Sequence, residues 1–216
     1  MTQIVLRIAT VLAACAGLAS AVAARDPLQA SASGEVMVPM VRIETPLGNI
    51  DAAVDTVHAP ITANNFLKYV DAGMYDAGRF WRSTRPDNYV PHLPDRPPFQ
   101  IIQADINAAR AKDRFPPIPL ERTTKTGLTH KAGTLSMPRG ADADSATAGF
   151  VICFEDTPSL DFGSMRYPDG QGFAAFGHVV KGMDVVGRIH SEPVNGQNLT
   201  PPIPITKIVR LHAAGR

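Results

Sequence analysis

Short apolar runs, separated by glycine, proline and small polar residues, recur along most of the chain and are typical of a β-rich domain. A hairpin opens the series: apolar and polar side chains alternate in residues 41–44, turn residues follow, and residues 50–54 resume an extended pattern. Further strands are predicted at residues 79–82, 99–103, 134–137, 150–154, 174–180 and 205–212. The pattern therefore predicts eight strands in all.

Two segments change to the period of a helix. In residues 61–72 apolar side chains recur every three or four positions, between Pro60, where a helix can begin, and Gly73, where it should end. A second helix is predicted at residues 183–190, where apolar side chains are spaced by three. Eight antiparallel strands and two helices fit a mainly β fold, a closed eight-stranded antiparallel β-barrel capped by two α-helices and filled by side chains.

Composition and charge limit the possible functions. The chain has 216 residues, of which 44% are hydrophobic and 19% charged, so it can bury one good core without a second domain. Its net charge of +1 gives no electrostatic reason to expect a nucleic acid partner. We also expect the protein to be a monomer. The six histidines show neither an HxH nor an HExxH spacing, so we predict no metal site.

The amino-terminal segment has the features of an export signal. Residues 1–24 contain one charged side chain, an apolar stretch and a group of alanines suited to cleavage, and the stretch is too short and too rich in alanine to favour a membrane span. Residues 12–15 also resemble a lipoprotein processing site, in which Cys15 would carry the lipid. We therefore expect a periplasmic or secreted protein, or a lipid-anchored one, with a flexible lead at 25–39 and one domain at 40–212.

A long polar loop between two predicted strands is the expected working surface. Residues 138–149 join the apolar runs 134–137 and 150–153 and contain glycine, aspartate, serine and threonine, which cannot form a core. Binding residues are commonly carried on such loops by a rigid scaffold.

Four blocks of sequence resemble a known family when they are taken together and in order. They are Gly73-Met74-Tyr75 with Phe80-Trp81-Arg82, then Ile101-Ile102-Gln103, then Ser136-Met137, Arg139, Asp144-Ser145-Ala146-Thr147 and Phe150-Val151-Ile152, and last the run Phe176 to Val186. These blocks resemble the cyclophilin-type peptidyl-prolyl isomerases, especially their bacterial periplasmic branch. The resemblance covers roughly residues 40 to 212 and is far more specific than any single block.

The resemblance implies a reaction, a substrate class and a set of site residues. Isomerisation rotates a prolyl amide over a barrier of roughly 18–20 kcal/mol without breaking a covalent bond, so no nucleophile, metal or cofactor is needed. By this resemblance Arg82 is the catalytic arginine, Gln103 holds the backbone of a proline-containing polypeptide, and Phe150 is the floor of the proline pocket. The other implied substrate-binding residues are Phe80, Ile101, Met137, Arg139, Gly149, Leu160 and Phe173.

Several positions depart from the family pattern and keep a second hypothesis open. Val151 stands where the family has a second phenylalanine, Ser159 where an aromatic residue is frequent, and Phe173 where a histidine is expected. One hypothesis is an isomerase that acts on exported proteins. The other is a catalytically weakened module of the same fold that binds proline-containing segments as a chaperone. A small-molecule-binding barrel is disfavoured, because large apolar side chains should fill a barrel of eight short strands.

Residues 83–98 form a proline-rich insertion beside Arg82, where the family has a short connector. Five of its 16 residues are proline, so an extended and semi-rigid segment is predicted. It is either a tolerated surface insertion or a flap that restricts which peptides enter.

Overall fold

A computed structural model describes residues 38–88 and 99–211, all of them within one compact unit. The predicted signal segment 1–24, most of the lead 25–39 and the greater part of the insertion 83–98 lie outside the described residues.

The described residues contain ten strands and three α-helices. The helices are α1 (Pro60–Asp71), α2 (Thr123–Thr126) and α3 (Met183–Ser191). The strands are β1 (Met40–Thr45), β2 (Gly48–Val54), β3 (Gly78–Thr84), β4 (Ile101–Asp105), β5 (Thr134–Met137), β6 (Phe150–Cys153), β7 (Ala174–Lys181), β8 (Val194–Asn195), β9 (Asn198–Ile205) and β10 (Lys207–Leu211).

The strands form a single antiparallel sheet in the order β10-β1-β2-β7-β5-β6-β4-β3-β9-β8. The prediction of a mainly β fold is confirmed, but a closed eight-stranded barrel is not, because the sheet has ten strands and β10 and β8 end it. The last two long strands, β9 and β10, are separated in sequence by Thr206 alone, whose N–H donates to the carbonyl oxygen of Glu44 at 2.8 Å.

The sequence pattern missed β9, which the structure places against β3. This strand contains Pro201, Pro202 and Pro204, and proline is depleted in strands because it cannot donate to a ladder. Strand β9 tolerates them because Pro201 and Pro202 lie in a register shift, between Asn198 and Ile203, where β3 offers no paired residue, and because β8 pairs only with the first two residues of β9. The predicted strand at 205–212 therefore corresponds to β10, and its final residue lies outside the described part of the chain.

The two predicted helices are confirmed as α1 and α3, and both bury one face. Helix α1 begins at Pro60, and Ala59 before it has no side chain that could cap the helix. The carboxylate of Glu121 replaces that cap by accepting the N–H groups of Ile61 and Thr62 at 3.0 and 2.7 Å. None of the helices in the described ranges is long and apolar enough to cross a membrane.

Aromatic side chains fill the space between α1 and the inner face of the sheet. Phe66 of α1 lies 5.4 Å from the ring of Phe150 and 5.2 Å from that of Phe176, measured between ring centroids. Tyr75 and Phe80 contact the same Phe150 ring at 5.6 and 5.9 Å, with the rings edge to face. All five side chains are fully buried, so this cluster is the centre of the core.

Candidate active site

A cavity of about 300 Å³ opens on the other face of strands β3 to β6, away from the aromatic core. It lies under the segment that joins β6 to β7. Its lining residues are Arg82, Phe99, Ile101, Gln103, Ser136, Pro138, Arg139, Val151, Leu160, Arg166, Tyr167 and Phe173.

Strand register explains why four of these residues meet in the cavity. Arg82 on β3 is the partner of Gln103 on β4, Gln103 is the partner of Val151 on β6, and Val151 is the partner of Ser136 on β5. Directly opposed residues of neighbouring strands project from the same face of a sheet. The four side chains therefore form one row across the cavity wall.

Two amide side chains fix the guanidinium of Arg82. Its Nε and Nη2 donate to Oε1 of Gln197 at 2.9 and 2.6 Å, and its Nη1 donates to Oε1 of Gln103 at 3.1 Å. A guanidinium has five N–H donors, so about two remain for a ligand. The cavity thus presents an arginine whose orientation is already set.

Neutral partners leave the charge of Arg82 uncompensated. Burial lowers the pKa of this guanidinium, and the positive charge of Arg166 lowers it further. An arginine nevertheless stays protonated at neutral pH, because its usual pKa lies far above 7. An amide that orients the cation without neutralising it leaves its field available to a ligand.

Apolar side chains next to this row form a small hydrophobic cluster distinct from the main core. Phe99, Ile101, Val151, Cys153 and Leu160 belong to it, and Phe173 packs against them. Burial raises the pKa of the Cys153 thiol to about 12, so it stays protonated and behaves as an apolar side chain. The cavity therefore combines an apolar wall with a cationic edge, a combination that suits an apolar ring attached to a polar backbone.

Arg139 holds the segment that covers the cavity. Its Nε donates to the carbonyl oxygen of Gly172 at 2.9 Å, and its Nη2 donates to the carboxylate of Asp169 at 2.7 Å. The guanidinium carbon also lies 4.5 Å from the ring centroid of Tyr167 and 5.3 Å from that of Phe173. The side chain is fully buried, and its donors are directed at the protein, so in this structure it positions the covering segment.

The structure brings together six of the residues proposed from sequence and leaves four outside the cavity lining. Arg82, Gln103, Ile101, Arg139, Leu160 and Phe173 line it, whereas Phe80, Met137, Gly149 and Phe150 do not.

Strand alternation explains two of the four exceptions. Met137 and Phe150 point into the main core, because each directly precedes or follows a residue that lines the cavity. Phe80 also lies in the main core although Arg82, two residues further on, lines the cavity, because the register of β3 shifts between them. The pocket-floor position expected for Phe150 is held by Val151 instead. At Gly149, a side chain would lie 3.2 Å from Cγ of Pro138, so this position packs behind the cavity wall.

The sequence analysis missed six of the lining residues, Phe99, Ser136, Pro138, Val151, Arg166 and Tyr167, and it also missed Gln197, which orients Arg82. Val151 could have been found, because it is adjacent to Phe150 and two successive strand residues cannot face the same side. Phe99 was predicted to be the start of a strand. The centroid of its ring lies 3.7 Å from the guanidinium carbon of Arg166 and 5.9 Å from that of Arg82. No local sequence pattern identifies Gln197, because its hydrogen bond with Arg82 joins residues that are 115 positions apart in the sequence.

The family model described as cyclophilin type peptidyl-prolyl cis-trans isomerase/CLD matches residues 40–210. The chain belongs to the cyclophilin-type isomerase family. Peptidyl-prolyl cis-trans isomerase A of Dickeya dadantii is 32% identical over 168 residues, which cover 76% of this chain and 80% of that relative. Peptidyl-prolyl cis-trans isomerase B of Escherichia coli is 29% identical over 170 residues, or 79% of this chain and 95% of the relative.

The solved structures agree with this assignment at the level of the fold. A cyclophilin-type isomerase of Cryptosporidium parvum superposes with a TM-score of 0.61 at 19% identity, covering 82% of this chain and 99% of its own. The curated relatives that match most of the chain are named peptidyl-prolyl cis-trans isomerases. By family, this protein is therefore a peptidyl-prolyl cis-trans isomerase. No group of three or more His, Cys, Asp or Glu side chains within residues 38–88 and 99–211 is placed to hold a metal ion.

Proposed function

We propose that this cyclophilin, acting as a monomer of the bacterial periplasmic branch, catalyses rotation about X-Pro bonds of exported polypeptides and so assists their folding. The observation that carries the proposal is the guanidinium of Arg82, held by Gln197 and Gln103 at the edge of an apolar cavity. This arrangement matches what the rotation of a prolyl amide requires.

The proline ring would pack on the apolar wall formed by Val151, Leu160 and Phe173. Gln103 uses its Oε1 to accept from Arg82, so its amide N–H groups are the donors for the substrate backbone. As the amide twists, the lone pair localises on the imide nitrogen, and the free donors of Arg82 would stabilise it there. A cation placed where charge develops acts on the transition state more than on the planar ground state.

The assignment of a proline-containing ligand has support from a related protein. The Cryptosporidium parvum cyclophilin has also been solved in the presence of the dipeptide Ala-Pro, with a TM-score of 0.60 to this chain. The cavity of about 300 Å³ is at the small end of ligand sites, in keeping with one proline ring and its neighbouring backbone.

A prolyl-isomerisation assay on a short Xaa-Pro peptide tests the activity. Arg82→Ala should lower kcat/KM by about a hundredfold or more, because a donor directed at developing charge typically contributes about 2.7–4 kcal/mol. Arg79→Ala is the matched control, since Arg79 lies on the same strand but is exposed, and it should retain the wild-type rate. Equal rates for wild type and Arg82→Ala, both at the uncatalysed level, would contradict the proposal.

Export is proposed from residues 1–24, whose single charge, apolar stretch and alanines fit a cleaved signal. The mature protein from its native host should begin within residues 21–25, which an intact-mass measurement decides. A mass that begins at Cys15 and includes acyl chains would replace simple cleavage by a lipid anchor.

Val151 favours a second candidate, a module that binds proline-containing segments with little catalysis. A valine offers less apolar surface to a proline ring than the aromatic residue expected from the family, by roughly 1 to 3 kcal/mol of contact. Peptide binding measured by calorimetry, without faster isomerisation, would favour this module over the enzyme.

A further inference from the structure

A chain of hydrogen bonds inside the protein ends at a serine in the cavity wall. Nε2 of His130 lies 2.7 Å from Oγ of Ser136, and Nδ1 of the same ring lies 2.6 Å from Oδ1 of Asp161. The backbone N–H of His130 also donates to that Oδ1, at 3.1 Å. Ser136 lines the cavity, while the His130 side chain is fully buried and that of Asp161 is 21% exposed.

The chemistry of the three groups sets the direction of every hydrogen bond. An ionised carboxylate can only accept, so the proton of a neutral His130 ring resides on Nδ1 and is donated to Asp161. Nε2 then carries the lone pair and accepts the hydroxyl proton of Ser136. Serine, imidazole and carboxylate thus stand in the order and at the distances of a nucleophile, its general base and the group that orients the base.

We propose that Ser136 is an activated nucleophile that accepts the acyl group of small apolar esters entering the cavity. In the first step Ser136 Oγ forms a bond to the acyl carbon, and its proton passes to Nε2 of His130. The C–O bond to the leaving alcohol then breaks, and the alcohol takes the proton from His130. A water molecule then attacks the acyl carbon and gives a proton to Nε2 of His130, the bond between the acyl carbon and Oγ breaks, and Oγ takes the proton back, so a carboxylic acid leaves and the protein returns to its starting state.

The surroundings of Ser136 favour this chemistry and define the substrate class. Val151 is the cross-strand partner of Ser136, so an ester that reaches Oγ of Ser136 also contacts this apolar side chain. The adjoining wall is apolar, and the cavity of about 300 Å³ admits only a small acyl group. The proposed activity is separate from isomerisation, which needs no nucleophile.

If the hydrogen bond between Ser136 and His130 has only a structural role, Ser136 should not react with an electrophile. A nearly buried hydroxyl must find a hydrogen-bond partner, and His130 supplies one whether or not the serine reacts. Only covalent capture of Ser136 separates the two roles, because a serine without an activating base is inert towards mild electrophiles.

The test uses diisopropyl fluorophosphate, in which Oγ of the serine displaces fluoride from phosphorus and the serine proton leaves through His130. The full chain is incubated with the reagent, and intact mass and peptide mapping locate and time the adduct. The variants are Ser136→Ala, His130→Gln and Asp161→Asn. The matched controls are Ser191→Ala and His178→Gln, both at exposed positions. Thermal unfolding of each variant verifies its fold.

We expect one adduct, at Ser136, formed at the wild-type rate in both controls. His130→Gln should slow it by about a hundredfold or more, the usual contribution of a general base. Asp161→Asn should slow it similarly, and it decides the matter if His130→Gln does not fold. The proposal is overturned if wild type takes no adduct at Ser136, or if labelling of Ser136 keeps its rate in a folded His130→Gln or Asp161→Asn variant.

Discussion

Replacing Gln197 with glutamate should slow the isomerase although the new side chain has almost the same shape. In the wild type the neutral Oε1 of Gln197 accepts from Nε and Nη2 of Arg82 at 2.9 and 2.6 Å. A carboxylate at the same place would keep these two hydrogen bonds and shorten them. It would also put a full negative charge beside the cation on which the reaction depends.

The expected loss follows from Coulomb's law. A developing charge of about half a unit on the imide nitrogen, about 6 Å from the new carboxylate, is opposed by about 1.4 kcal/mol at an effective dielectric constant of about 20. That energy corresponds to a decrease of about tenfold in rate. The decrease should appear in kcat, because the repulsion grows only as the amide twists.

Steady-state isomerisation of an Xaa-Pro peptide measures the effect, with thermal unfolding of each variant as a check of the fold. Asn64→Asp is the matched control, because it adds the same charge on helix α1, on the other side of the sheet, at an exposed position where solvent screens it. The control should stay within about twofold of wild type. If Gln197→Glu turned over as fast as wild type, the charge of Arg82 would have no part in catalysis.

Three other outcomes are expected from single substitutions. Val151→Phe should raise kcat/KM by about fivefold, from about 1 kcal/mol of added contact with the proline ring; a lower value in a folded variant would contradict this. Gly177→Ala should lower the free energy of unfolding by about 1–3 kcal/mol in urea titrations, since its methyl group would overlap the carbonyl oxygen of Ala53; an unchanged midpoint would contradict it. Burial lowers the pKa of His190 below its usual 6.5, so the unfolded state binds more protons and stability should fall from pH 7 to pH 5. His190→Gln, which can still donate to Thr84, should show a smaller fall, and an equal fall would argue against this cause.

Most secondary structure could be predicted because it depends on neighbours in the sequence. Apolar alternation located β1 and β2, and three-residue spacing located α1 and α3. Strand β9 was missed because it contains three prolines, which disfavour a strand when only the local sequence is considered. Its pairing with β3, which the sequence does not show, stabilises the strand. Helix α2 was missed because it has only four residues, too few to show a period.

The site was predicted in part, and the errors concern which face a side chain occupies. Motif matching identified Arg82 and Gln103, which the structure joins at 3.1 Å. The same matching placed Phe150 in the pocket, although its ring lies in the aromatic core and Val151 lines the cavity. A sequence motif groups adjacent residues, whereas the side chains of adjacent residues in a strand point to opposite faces of the sheet.

The sequence by itself determined the family, the majority of the strands, and the arginine and glutamine of the cavity, because these depend on local pattern and on motifs in order. Only the tertiary structure decided that Gln197 orients Arg82 and that Ser136, His130 and Asp161 form one chain of hydrogen bonds. These contacts join residues as far as 115 positions apart, and packing of the sheet, rather than any local preference, brings them together.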